Sequence, residues 1–112
     1  MIRDLKIVLS DIIQSIEKIE EYVSAKKKED FLQDEKTKDA VKQRLQVIGE
    51  AVKQVSSSVR KQHPDIEWAK IAGLRDVLIH AYFGVNDERV WVIIQRDLLP
   101  LKEKLVKMFK SL

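Results

Sequence analysis

Residues 2–23, IRDLKIVLSDIIQSIEKIEEYV, decide the fold class. Within them Ile2, Leu5, Leu9, Ile12, Ile16, Ile19 and Val23 recur at alternating spacings of three and four. That is the apolar seam of an amphipathic helix of about six turns. Lys6, Asp11, Glu17, Lys18, Glu20 and Glu21 fall off the seam and are expected to face solvent. A seam this regular suits a helix in a bundle or one packed on a second copy of the chain.

Working outward, Ser24 to Glu29 is a basic break whose three lysines read as a solvated turn. Phe31 and Leu32 then fit a single helical turn lidding one end of the core. Asp34 and Thr37 are both candidate caps for a second long helix. Its seam is Val41, Leu45, Ile48, Val52, Val55 and Val59, with Gly49 and Ala51 small enough for close helix approach. Ser56-Ser57-Ser58 weakens the end of that helix, and Pro64 disfavours helix at His63. A third helix is expected from Asp65–Glu67 to Phe83, terminated by Gly84 in a left-handed cap. Asn86 caps a fourth, with Asp87 and Glu88 near its positive end and Val90, Trp91, Ile94 and Leu98 on its buried face. Pro100 is expected to kink or break the chain. A last amphipathic segment sets Leu101, Leu105, Met108, Phe109 and Leu112 against Lys102, Lys104, Lys107 and Lys110. With no β-alternation and no repeat, the chain reads as an all-α up-and-down helical bundle of four to five helices.

Composition bounds the function. The 112 residues fit a single domain, 1–112, with 45% hydrophobic and 35% charged side chains. The net charge of +3 is too small to establish a polyanionic partner, though residues 1–56 are balanced and the excess lies in residues 57–112. There is no cysteine, and His63 and His80 are the only imidazoles, so no protein-built metal site is expected. No apolar run nears the ~18 residues of a membrane span, and no cleavable leader pattern stands out. A soluble, cytoplasmic protein is the expectation.

The chemistry concentrates in Arg75-Asp76-Val77-Leu78-Ile79-His80-Ala81-Tyr82. Helical spacing puts Trp68, Ile71, Ala72, Leu78, Ile79 and Tyr82 on one apolar face, with Arg75 in the middle of it. A charge there is costly unless paired, hydrogen-bonded or reaching a cleft. Glu50, beside the second seam, could be its partner or could face water, and spacing favours neither. Asp76 and His80, four apart, share a second face where Gly73 leaves room. A histidine can pass protons near neutrality, and an arginine can neutralise a phosphate or a developing phosphorane. Together they suffice for metal-free RNA cleavage with a 2′-hydroxyl as nucleophile. They would equally suit phosphate binding without catalysis. Arg75 and His80 lie about 140° apart around an ideal helix, so one regular helix does not aim both at one group. The helix could deform near Gly84, the long Arg75 side chain could wrap round, or two copies could meet across a two-fold axis, and the nearly all-round apolar character of residues 68–83 favours such a homodimer.

The Arg-X4-His-X-Tyr pattern of Arg75, His80 and Tyr82 resembles the signature of HEPN-domain proteins of the HepT-like family. Ile48-Gly49-Glu50-Ala51-Val52-Lys53, Pro64-Asp65-Ile66-Glu67-Trp68 and Lys70-Ile71-Ala72-Gly73-Leu74-Arg75 are similar to it in order and spacing. So are Tyr82-Phe83-Gly84-Val85, Val90-Trp91 and Asp97-Leu98-Leu99-Pro100-Leu101, carrying the likeness over roughly residues 2–110. The resemblance implies a homodimeric helical bundle acting as a metal-independent endoribonuclease toxin, with RNA as substrate and no cofactor. Its partner would be a MntA-like nucleotidyltransferase antitoxin. By that resemblance Arg75 and His80 form the catalytic pair, and Asp76, where the family often has asparagine, supports His80. Tyr82 is the hydroxyl that the antitoxin adenylylates, adding a bulky anion beside the cleft. Two other readings compete: a non-catalytic module binding a nucleotide or a nucleotidyltransferase, and a purely structural homodimer.

Overall fold

The computed structural model of the chain describes residues 4–74, 76–78 and 87–112. Among them every regular element is helical. Helix α1 (Leu5–Val23) begins where the Asp4 carboxylate accepts from the Lys6 N–H at 2.8 Å, satisfying a donor the helix leaves unpaired. Leu9, Ile12, Ile16 and Ile19 are fully buried and Val23 nearly so, as the seam requires. Ile2 lies outside the described residues. The chain turns at Ser24 and Ala25, the latter at a positive φ of 63°.

Helix α2 (Lys28–Gln33) is the short turn expected around Phe31, which is completely buried. Asp34, and not Thr37, caps α3 (Glu35–Val52). Its carboxylate accepts from the Thr37 N–H at 3.1 Å, from the Thr37 hydroxyl at 2.7 Å and from Lys26 Nζ at 3.0 Å. Those bonds hold the Asp34 carboxyl far below the ordinary carboxylate range. Helix α3 packs along α1, closing Val41, Leu45, Ile48 and Val52 into the core.

The second seam is where structure and expectation part. Spacing carries it through Val55 and Val59, but α3 stops at Val52 and a separate helix, α4 (Ser57–Gln62), follows. The Arg60 guanidinium reaches back to donate to the Val52 carbonyl at 2.8 Å and the Val55 carbonyl at 3.1 Å. The Val52 carbonyl, which also accepts from the Val55 N–H at 3.1 Å, thus gains a second donor, and the Val55 carbonyl beyond the helix end gains one. Ser56 caps α4 by accepting from the Val59 N–H. Val55 stays buried without the helix.

After Pro64 the chain is pinned by Trp68, whose indole N–H donates to the His63 carbonyl at 3.0 Å. Helix α5 (Trp68–Ala72) buries Trp68 and Ile71 and turns at Gly73. Leu74 and residues 76–78 are helical again, so Gly73 interrupts what the sequence presents as one helix. Leu78 is buried at 3% exposure, as its place on the apolar face predicts. Ile79, Phe83, Gly84 and Asn86 lie outside the described residues, and with them the expected end of the third helix and the cap of the next.

Helix α6 (Asp87–Val92) leads into a π-helical turn at Ile93–Leu98 and then α7 (Leu99–Lys110). Pro100 therefore does not break the chain. It sits in the first turn of α7, where a missing N–H costs least, and the wider π turn absorbs the change in register. Leu105 and Met108 pack inward, while Leu112 is half exposed. Lys102 donates to Glu20 at 2.8 Å, tying α7 to α1; that bond raises the lysine's pKa against the opposing effect of burial. No helix among the described residues is long and apolar enough to cross a membrane.

The core argument makes a prediction. Leu45→Ala, at a site with no exposure, is expected to lower unfolding free energy in urea by about 2–5 kcal/mol. Gln43→Ala, on the exposed face of the same helix, should stay within about 0.5 kcal/mol of wild type.

Candidate active site

Of the four residues that the sequence singles out, only Asp76 falls among the described residues. Arg75, His80 and Tyr82 lie outside them, so no distance among the four is drawn. Asp76 is exposed, and its backbone N–H donates to the Gly73 carbonyl at 3.0 Å. The side chain is thus on the solvent side of its turn. Glu50, the other candidate partner for Arg75, is half exposed with its carboxylate 3.5 Å from Lys53 Nζ.

The helical turns around Asp76 form one wall of a cleft of about 530 Å³. Ile71, Leu74 and Val77 contribute from that wall, and Val92, Ile93 and Leu98 face them from α6 and the π turn. Lys70, Arg89, Arg96 and Lys104 stand in its lining with Glu67 and Asp97. Asp97 is held 3.2 Å from Arg96 Nε and 3.5 Å from Lys70 Nζ. Lys104 Nζ donates to the Asp65 carbonyl at 2.7 Å. The cleft is apolar within and carries an excess of cations. Val92 is 42% exposed there, an apolar side chain left for something else to cover.

Behind the same segment lies a cluster the sequence did not reveal. Lys38 and Lys42, one turn apart on α3, are only 8% and 6% exposed. Lys42 Nζ lies 3.0 Å from Asp87 Oδ1, and Lys38 Nζ lies 3.2 Å from Asp87 Oδ2 and 3.2 Å from Glu35 Oε1. Burial alone would raise the Asp87 carboxyl, but hydrogen bonds from Lys42 and Lys38 outweigh it and hold the carboxyl below its usual value. Burial likewise works to lower the Lys38 pKa and is outweighed by the bonds to Asp87 and Glu35, which raise it. The signal was present: positions 38, 42, 45, 49 and 52 form one helical stripe, so the two lysines extend a buried seam. Lysine on such a stripe needs a buried acid, and Asp87 supplies it. Among the described residues no His or acidic side chains cluster as a metal site would.

The sign of the Asp87 shift sets a pH dependence. A carboxyl depressed on folding contributes stability that is fully present above the ordinary value of about 3.9 and is lost as pH falls through the lower folded value. Melting temperature should therefore drop steeply below about pH 4 in wild type. In Asp87→Asn the drop should be shallower, from a lower starting point at neutral pH.

The Ribonuclease HepT-like family matches residues 12–108. A probable ribonuclease HepT of Thermococcus cleftensis is 44% identical over 110 residues, covering 98% of this chain and all of that protein. A Methanocaldococcus jannaschii protein, named a gamma-glutamylcyclotransferase and candidate RNase, is 39% identical over the full chain. This chain spans 50% of that relative's length. A candidate RNase of Caldanaerobacter subterraneus is 41% identical over 99 residues, 88% of each chain. No solved structure matches the chain.

Proposed function

The chain belongs to the HepT-like ribonuclease family, and on that premise we propose that it is the toxin of a toxin–antitoxin pair, a metal-independent endoribonuclease of the cytoplasm. The observation that carries this is the Arg75-X4-His80-X-Tyr82 motif in a chain matched from end to end by proteins named for ribonuclease activity.

The chemistry needs little equipment. The 2′-oxygen of a ribose attacks the adjacent phosphorus as the bond to the 5′-oxygen breaks, leaving a 2′,3′-cyclic phosphate and a free 5′-hydroxyl. His80 takes or returns the proton at these oxygens, a role suited to an imidazole near neutral pH. Arg75 donates to the phosphoryl oxygens as negative charge builds on them. Asp76, exposed one turn before His80, orients the ring and sets its tautomer. The two-fold pairing that brings Arg75 and His80 together has an apolar surface available to it, the cleft with Val92 at its edge. The partner is a MntA-like nucleotidyltransferase, which silences the site by adenylylating Tyr82.

Induced expression is expected to arrest growth and leave new cleavage ends in cellular RNA. Arg75→Ala and His80→Ala, folded by circular dichroism, should do neither. Co-expression of the nucleotidyltransferase should relieve the arrest of the wild type and add one adenylyl group, lost in Tyr82→Phe, by intact mass. A growth-neutral wild type with Tyr82 unmodified would instead support the binding-module reading.

A further inference from the structure

The part of the motif with His80 and Tyr82 stands between two anchors of different kinds in the sequence. On its N-terminal side stands Leu78, buried at 3% exposure in the apolar core. Its C-terminal side is Asp87, five residues after Tyr82 and gripped by Lys38 and Lys42. An apolar anchor fixes a position but has little directionality. A carboxylate held at each oxygen by a different ammonium fixes direction as well. The ring contact between Phe31 and Trp91, with centroids 5.3 Å apart, seats the next turn of α6.

Charge counting sharpens the point. One lysine would neutralise Asp87. The second adds another buried cation, whose other acid, Glu35, has a side chain 82% exposed. Burying an additional ion is poorly repaid as stability, so its effect lies elsewhere, in holding both carboxylate oxygens at once. The other ion pair at this helix start, Lys28 with Glu88 at 3.5 Å, joins exposed side chains and contributes little.

We propose that Lys38 and Lys42 are positioning residues, acting through Asp87 to fix the point at which the chain that carries His80 and Tyr82 joins α6. The proposal rests on the ribonuclease reading for its catalytic consequence but not for its structural one. Misplacing a catalytic group by about 1 Å costs up to roughly a hundred-fold in rate, so loosening one of the two grips should be felt in turnover.

The test uses the full chain with Lys42→Met, Lys38→Met and Lys42→Arg. Either methionine variant leaves one lysine paired with Asp87 and keeps most of the buried stem. Thermal melts, kcat and KM for RNA cleavage, and amide hydrogen exchange resolved along the chain would be measured together. Lys42→Met is expected to keep KM and near-wild-type melting, to lose about ten-fold or more in kcat, and to exchange faster at the start of α6 but not in α1 or α3. Lys42→Arg should recover most of the kcat. Wild-type kcat and exchange in both methionine variants would overturn the proposal. Unfolding of both, or faster exchange spread through every helix, would also overturn it, since the lysines would then be holding the whole fold. A wild type that does not cleave RNA would sink the ribonuclease reading instead, and the exchange comparison would still decide the positioning role.

Discussion

Helix α3 is the member on which the rest is built. One side of it closes the apolar seam of α1, with Leu45 and Ile48 meeting a face made of Leu9, Ile12, Ile16 and Ile19. It also packs against α5, and its Lys38 and Lys42 hold Asp87 at the start of α6. Described elements before and after residues 79–86 are therefore both tied to α3. Helices as short as α4, α5 and α6 are unstable alone. They persist because each is tied down: α5 packs on α3, Arg60 of α4 reaches the end of α3, and α6 packs on α2 with Asp87 held by Lys38 and Lys42.

The two ways of docking differ in what they specify. Burial in the α1–α3 seam tolerates substitution as long as volume is kept, so it sets the fold without fixing fine geometry. The ionic cluster at Asp87 is less tolerant, because removing its acid would take from two buried cations the counter-charge they share. A chain that must aim a few side chains at a phosphate benefits from the second kind close to its site and can rely on the first kind elsewhere. Lys102 with Glu20 and Lys26 with Asp34 do similar work for α7 and α3, at more exposed positions.

Much of this is legible in the residues. The period of the first seam gives α1 to within a few residues, Asp34 was among the expected caps, and Phe31 was expected to cover the core end. What sequence misses has identifiable causes. Hydrophobic spacing runs on through Val55 and Val59 because both still pack, yet the helix ends at Val52, where Arg60 reaches back to the Val52 and Val55 carbonyls. Pro100 reads as a break because local rules do not foresee a π turn beside it. Gly73 reads as room beside the motif, yet the helix turns there. As for the site, Arg75, His80 and Tyr82 are candidates by pattern alone and lie outside the described residues, whereas Asp87 meets Lys38 and Lys42 only through tertiary packing, 45 or more residues away in sequence.

The proposed site would ask little of its surroundings: an imidazole, a guanidinium and a scaffold that holds them against one phosphate. RNA provides the nucleophile itself, which is why an ordinary helical bundle without a metal-binding cluster among its described residues can be sufficient. The most direct measurement is cleavage of RNA by the purified protein in EDTA, wild type beside folded His80→Ala, with Tyr82 confirmed unmodified by intact mass. The account predicts cleavage by the wild type, ending in cyclic phosphate, and none by the variant. Equal inactivity of the two, or equal cleavage by both, would contradict it.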